Sequence, residues 1–448
     1  MLTKAARIYN TGRILSLVMR NSRYAFNTLP RIKEDQSRNV RLIAAYAYGY
    51  VPFYTDTMNR LGLRPHDFQS VDDLKKLPVI ERVDVQKDPE YFVSTEKPVD
   101  EYHKNITGGS TGAPLEVYND SGALMDTFAH SERGRSIVSR LLDRRYGYRV
   151  TFISPPGCNA LRMMNFRNRR MKIPSLLRPE QQNLSLYDPP ERNIELINRF
   201  RPDLIYSYGS YLSLIFAYLQ KNDMRFHRPV AAVYSADGIQ PGMRNLIMQD
   251  YGIPLFSWYQ AIEGFKIAFE CEKHMGMHIN MDLYPVRIVD IEGNDVPDGE
   301  TGEVVLSNLV NRGTVLLNYR LGDIASIMAG PCSCGRSLPL LSFIPGRTSD
   351  LITLPDGRRI HPQRVSMIIG WDRSVLQYQI EQDSMNHLTV RLIETAGSDR
   401  DQTAKQIEKG FFEAFGKDMR ITVEFVDSLD TTEGGKHRVV ISRMKRAP

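Results

Sequence analysis

Nine residues, Ile106-Thr107-Gly108-Gly109-Ser110-Thr111-Gly112-Ala113-Pro114, put three glycines and three hydroxyl side chains into one short loop. Glycines without a Cβ let successive N–H groups turn toward one centre, and Thr107, Ser110 and Thr111 add hydroxyl donors. That set suits a polyphosphate. No Gly-Lys-Ser/Thr closes it, so it is not a P-loop, and on these residues alone a plain hairpin turn has an equal claim. A second group is Cys332-Ser333-Cys334, to be matched with the distant run from Cys271 to His278, which also holds His274. Two thiolates one residue apart plus a Cys–His pair can close a tetrahedral Zn²⁺ site; the other reading is reduced cysteines and surface histidines. Only Cys158 remains, too few in all for a disulfide scaffold in a chain of 448 residues. The basic cluster Arg162, Arg167, Arg169, Arg170 and Lys172 reads either as a solvated loop or as a dock for an anionic substrate, cofactor or membrane surface.

The elements that must position these groups alternate between strand and helix. Arg149–Ser154, Leu204–Tyr208, Val230–Tyr234 and Leu255–Tyr259 are short apolar segments, each running into a polar or glycine-bearing loop. Helical spacing follows the second of them, through Leu212, Leu214, Ile215 and Leu219. Such repetition predicts an α/β fold with a parallel-rich sheet, whose ligands gather at the carboxyl ends of the strands. Val286–Ile291 and Glu303–Leu306 alternate around Gly293-Asn294 and Pro297-Asp298-Gly299, which predicts antiparallel hairpins. Beyond about Pro345, strands at Leu376–Ile380 and Leu388–Leu392, a helix over 399–415 capped by Ser398, and a strand at Ile421–Val426 predict a small separate α+β domain. The expected division is a large domain over 1–346, with a helical segment over about 1–60, and a small lid domain over 347–448.

Composition fits a soluble globular protein: 42% hydrophobic, 25% charged, net charge +6. No apolar run nears the roughly 20 residues that span a bilayer. Met1–Arg20 mixes basic and apolar residues like an amphipathic helix and lacks a cleavage site, so a cytoplasmic location is expected. The modest charge comes with no nucleic-acid-binding motif.

Further motifs follow the glycine-rich loop in chain order. They are Tyr259 with Glu263, Tyr319-Arg320-Leu321-Gly322-Asp323, Pro345-Gly346-Arg347-Thr348-Ser349-Asp350, and Gly434-Gly435-Lys436-His437-Arg438. Together they resemble the adenylate-forming superfamily of acyl-CoA synthetases. Within it the chain is most similar to the phenylacetate–CoA ligase family, in particular its capsular-polysaccharide-biosynthesis-like branch. Tyr46-Ala47-Tyr48 with Val51-Pro52-Phe53-Tyr54, Asp72–Pro78, His278-Ile279-Asn280, Pro297–Glu303 and the Cys-x-Cys-Gly-Arg run carry that nearer match.

The resemblance implies roles. Thr107, Gly108, Gly109, Ser110, Thr111 and Gly112 would hold the β- and γ-phosphates of ATP, with Ser235-Ala236-Asp237 as the adenine-side loop and Tyr259 against the purine. Glu263 would help hold Mg²⁺, Asp323 would bind the ribose hydroxyls, and Arg347 would add charge beside the nucleotide. Lys436 would enter from a mobile small domain as a carboxylate displaces pyrophosphate. The acid would sit near 207–212, Tyr234-Ser235 and Trp258–Ala261. Some relatives hold a structural metal, which implies Zn²⁺ on Cys271, His278, Cys332 and Cys334, with His274 as the substitute for His278. A homodimer is common among relatives. Three departures stand out: Ala113 where a lysine is common, Gln260 where a glycine is usual, and Ser349 at the usually acidic hinge. The leading expectation is an ATP-dependent, AMP-forming ligase passing an acyl group to coenzyme A. The alternatives are an amine or hydroxyl acceptor, and a nucleotide-binding homologue that has lost turnover.

Overall fold

The computed structural model describes residues 3–107, 114–143, 147–175, 178–344, 346–347, 350–360, 362–369, 374–395, 397–416, 418–432 and 436–444. The described chain opens with three helices: α1 (Lys4–Tyr24), α2 (Leu29–Tyr50) and α3 (Pro52–Arg60). The Thr3 hydroxyl caps α1 by accepting from the Ala6 N–H, and prolines stand at the starts of α2 and α3, where a missing N–H costs nothing. After the short α4 (Arg82–Lys87) comes a hairpin of β1 (His103–Ile106) and β2 (Glu116–Asn119) that flanks the glycine-rich loop. The polar segment His103-Lys104-Asn105, with Ile106, is thus a strand. It pairs with β2, and across the pair Asn105 donates from its buried side-chain amide to Asn119 Oδ1 at 2.6 Å.

Helices α5 (Ser121–His130), α6 (Glu132–Ser139), α7 (Asn159–Arg170), α8 (Pro190–Phe200), α9 (Gly209–Asn222) and α10 (Pro241–Asn245) surround one nine-stranded sheet. Its parallel half runs β4 (Glu180–Ser185), β3 (Arg149–Ser154), β5 (Leu204–Tyr208), β6 (Ala231–Ser235), β7 (Leu255–Ala261) in spatial order. The four residues Ala231 to Tyr234 are all buried, as a central strand covered on both faces requires. Tyr211, Leu212, Ile215, Phe216 and Leu219 of α9 pack on one face with Ile194 and Ile197 of α8; Ile137 and Val138 of α6 pack on the other with Val150, Val233 and Phe256. From β7 the sheet continues antiparallel through β8 (Phe265–Glu270), β9 (Met277–Ile279), β14 (Leu340–Leu341) and β13 (Ile327–Met328). The expected hairpins form a separate three-stranded sheet of β10 (Val286–Val289), β11 (Gly302–Leu306) and β12 (Tyr319–Ala325).

The C-terminal part has a core of its own, including Ile352, Val365, Tyr378, Ile380, Val390, Leu392, Phe411 and Val440. The short pair β15 (Ile352–Thr353) and β16 (Arg359–Ile360) and helix α11 (Pro362–Ile369) precede β17 (Val375–Ser384), β18 (His387–Glu394), α12 (Arg400–Phe415), β19 (Arg420–Phe425) and β20 (Val440–Ser442). The sheet order is β19-β18-β17-β20, so β20 adds a fourth strand, parallel to β17, to the expected unit. The cap of α12 is Asp399, which accepts from the Gln402 N–H, and not Ser398. The Ser398 hydroxyl donates instead to Glu394 at 2.6 Å, because the carboxylate offers a charge-assisted bond.

This part docks closely on the large sheet. The Gln240 side chain donates to the Tyr378 carbonyl at 2.7 Å and accepts from the Tyr378 N–H at 2.6 Å. Beside it, a Cβ on Gly242 would overlap the Val375 carbonyl oxygen, so only glycine permits this approach. Among the described residues, no helix is long and apolar enough to cross a membrane.

Candidate active site

The carboxyl ends of β5, β6 and β7 open into a cavity of about 2300 Å³, and the C-terminal part closes one side of it. Nine of the site residues singled out from the sequence and described in the structure line it: Thr107, Ser235, Ala236, Asp237, Tyr259, Glu263, Asp323, Arg347 and Lys436. Gly108, Gly109, Ser110, Thr111, Gly112 and Ala113 lie outside the described residues, as do Thr348, Ser349, Gly434 and Gly435. The base of the glycine-rich loop is described. Thr107 donates its N–H to the Leu115 carbonyl at 3.0 Å, and its hydroxyl accepts from the Leu115 N–H at 2.9 Å.

Arg82, the first residue of α4, was not singled out from the sequence. It donates to the Thr107 hydroxyl at 2.8 Å and stands 3.7 Å from Glu263 Oε1, bridging the loop and the β7–β8 turn. The only signal for it was a basic residue opening a helix, which most surfaces share. Burial raises the pKa of Glu263 above the ordinary carboxylate value, with the Arg82 and Arg347 charges acting the other way. Asp323, at the end of the Tyr-Arg-Leu-Gly-Asp run on β12, accepts from the Tyr259 hydroxyl at 2.7 Å and pairs with Arg347 Nε at 3.1 Å. Both contacts leave the carboxylate fixed at the cavity wall.

Asp237 has a structural task of its own. Its Oδ1 accepts the backbone N–H groups of Gly209 (2.6 Å) and Ser210 (3.2 Å), the first turn of α9. Its Oδ2 accepts the His437 N–H at 3.3 Å. Gly209 is required there, since a Cβ would sit 2.6 Å from the Gly238 carbonyl oxygen. Ala236 beside it adopts a left-handed φ of 77°, a conformation an L-residue holds only when its surroundings enforce it.

The Lys436 carbonyl accepts the Thr432 N–H at 2.9 Å. Its ammonium sits deep enough for burial to lower its pKa; the Arg347 charge lowers it further, while Asp237, Asp323 and Glu263 oppose. Arg438 nearby pairs with Asp350 at 2.6 Å. Asp350 joins the boundary to the small part, since it also accepts the Arg347 N–H at 3.1 Å.

The cysteine–histidine set also converges. Cys271 at the end of β8, His278 on β9, Cys332 and Cys334 bring their ligand atoms within 4.8 Å of one another. Cys271 Sγ and Cys332 Sγ are 3.7 Å apart, against an edge of ~3.8 Å in a tetrahedron with Zn–S bonds of ~2.3 Å. His278 turns Nε2 toward Cys334 Sγ at 3.2 Å, and its Nδ1 lies 2.9 Å from the Leu338 carbonyl, which orients the ring. His274 is elsewhere: it faces Glu270 at 2.7 Å, beside Arg244. The expected substitute ligand is therefore not the one this arrangement uses.

The four arginines of the basic cluster lie on a helix and not in a loop, with Lys172 just beyond its end. On α7, Arg162 and Arg167 line the cavity, while Arg170 lies over the Phe166 ring at 4.7 Å.

Residues 352–443 match the CapK C-terminal domain. The phenylacetate-coenzyme A ligase of Thermus thermophilus is 25% identical over 369 residues, 79% of each chain. Protein CapK of Staphylococcus aureus is 22% identical over 422 residues, 89% of this chain and 87% of that one. Among solved structures, 2-hydroxyisobutyryl-CoA ligase in its postadenylation state with R3-HIB-AMP superposes with a TM-score of 0.74 at 18% identity, covering 94% of this chain and 91% of that one. The same ligase with 2-HIB-AMP and CoA in its thioesterification state gives 0.62 at 20% identity, covering 94% and 91%. The fold is that of the adenylate-forming CoA ligases. In sequence it is similar to phenylacetate-CoA ligases and to CapK.

Proposed function

We propose that this protein is an ATP-dependent, AMP-forming ligase that adenylates a carboxylic acid and passes the acyl group to coenzyme A. The observation that carries this reading is the entry of Lys436 into the same cavity as Glu263, Arg347 and the Tyr259–Asp323 pair. In it, Asp323 holds the ribose, Tyr259 borders the base, and Arg82 and Thr107 stand at the root of the phosphate-binding loop. The Lys436 ammonium neutralises charge as the substrate carboxylate oxygen attacks the α-phosphorus and pyrophosphate leaves. The buried Glu263 carboxylate fits a hard divalent cation, and Mg²⁺ bound there would offset phosphate charge. The chain divides near residues 346–347, and the small part swings between the two half-reactions.

Zinc suits the Cys271–His278–Cys332–Cys334 set, since three sulfurs and one imidazole nitrogen at tetrahedral spacing leave no coordination position open for chemistry. Its part is to tie the ends of β8 and β9 to the 332–334 turn. Purified protein is expected to carry about one zinc per chain, and less than about 0.2 by metal analysis would remove the assignment.

Pyrophosphate release measured across aromatic and aliphatic acids, with and without coenzyme A, tests the function. Acid-dependent release followed by a thioester product supports it. Release with no thioester product, indifferent to coenzyme A, would point to an amine or hydroxyl acceptor. No release despite ATP binding would leave a nucleotide-binding homologue without turnover.

A further inference from the structure

One side chain on the cavity wall has no task in the reaction above. Lys266 of β8 stands directly opposite Gln260 of β7, next to the register irregularity at Tyr259/Gln260. Its ammonium donates to Gln260 Oε1 and lies 5.6 Å from the centre of the Trp258 ring. Trp258, Gln260 and Lys266 all line the cavity together with Tyr206.

Nothing among the described residues supplies a counter-charge. Glu270 of the same strand is engaged by Arg244 and by the Ser257 N–H, and Glu132 is gripped by Arg135 through bonds of 2.6 and 2.9 Å. Glu263 faces Arg82. Burial therefore acts on Lys266 unopposed and pulls its pKa down to about 8. An ammonium taken from water without a counter-charge costs stability, and proteins keep such groups where a ligand completes them. A second cation repeats the pattern on α7. Arg167 lines the same cavity with its Nε buried and unbonded, and the Arg178 charge beside it repels.

Building on the ligase reading, we propose that the acid activated here carries a second anionic group, remote from the carboxylate that is adenylated, and that Lys266 pairs with it. A hydroxyl or amide on the substrate would fill hydrogen bonds but leave the excess positive charge in place. A second carboxylate, or another anionic oxygen group, removes it. Gln260, in the position where glycine is usual in the family it resembles, holds the ammonium on the cavity side.

The test pairs acids that differ only by one carboxylate: butyrate with glutarate, benzoate with isophthalate, and phenylacetate with 4-carboxyphenylacetate. Pyrophosphate release is read for the wild type and for Lys266→Met, which keeps length and removes charge. At least one diacid is expected to exceed its partner in kcat/KM by about tenfold or more, the worth of one charge-assisted bond. In the variant that ratio falls to about one or below, with KM for ATP unchanged. Monoacids preferred in every pair, or a ratio untouched by the substitution, would overturn the proposal. Should no acid release pyrophosphate, the ligase reading fails. The melting temperature with AMP plus each acid then reads the anion site directly. A rise with diacids only, lost in Lys266→Met, supports the site, and no difference between diacids and monoacids sinks it. A melting temperature of the variant at or above that of the wild type shows that it folds.

Discussion

The two halves of the cleft treat charge in opposite ways. On the side proposed for the nucleotide, carboxylates and cations answer one another: Asp323 pairs with Arg347, Glu263 faces Arg82, Asp350 pairs with Arg438, and Lys436 stands among Asp237, Asp323 and Glu263. On the acyl side Glu132 and Arg135 cancel, and Lys266 and Arg167 remain over. A site that always meets the same ligand can be balanced internally and still orient it by hydrogen bonds. A site built for one particular ligand can leave a charge for that ligand to answer. The balanced half gathers the residues to which the resemblance assigns roles, and the unbalanced half holds side chains to which it assigns none.

Substitutions on the two sides should therefore separate cleanly. Lys436→Ala is expected to slow pyrophosphate release by ~10²-fold or more with every acid, leaving ATP binding and the circular dichroism spectrum in place. An unchanged rate would take Lys436 out of the chemistry. Tyr259→Phe removes one bond to Asp323, so KM for ATP should rise by about 5- to 10-fold with little change in KM for the acid. A shift confined to the acid would mean that the halves are drawn in the wrong place. Gln260→Gly should do the reverse, altering the ranking of acids by a few fold while KM for ATP stays put.

The smallest effect is on stability. Lys266 has its pKa lowered from 10.5 to about 8 in the folded chain, so between those values the unfolded chain binds more protons. Wild-type stability should gain as pH rises from about 8 toward 10.5, relative to Lys266→Met. The melting advantage of the variant at pH 7 should then shrink on the alkaline side, and parallel curves would contradict the burial of an uncompensated ammonium.

How much of this could be read beforehand depended on what each residue's neighbours are. Strands β3 and β5 were read to the residue because burial on both faces leaves an apolar run that nothing else explains. Strand β1 was not, because its stability comes from its pairing with β2 and from one amide pair, and neither leaves a local pattern. The cap of α12 was displaced by one residue: Ser398 and Asp399 are both good caps, and only the position of Glu394 decides between them. For the metal set, spacing offered two histidines, and the Leu338 carbonyl and Glu270 sort them in space. Lys266 gave no sign at all, since a lysine in an alternating strand normally marks the wet face. Arg82 and Gln240 likewise act through partners far along the chain.

Gln240 uses its side-chain amide on Tyr378 as a neighbouring strand would use a peptide group, one donor and one acceptor on the same residue. Should the small part turn away as proposed, the Tyr378 N–H would lose Gln240, while the Tyr378 carbonyl would keep His437 Nε2 beside it at 3.1 Å. The Tyr378 amide proton should exchange with solvent deuterium slowly in the docked arrangement and quickly in the other, so a single backbone site can time the swing between half-reactions.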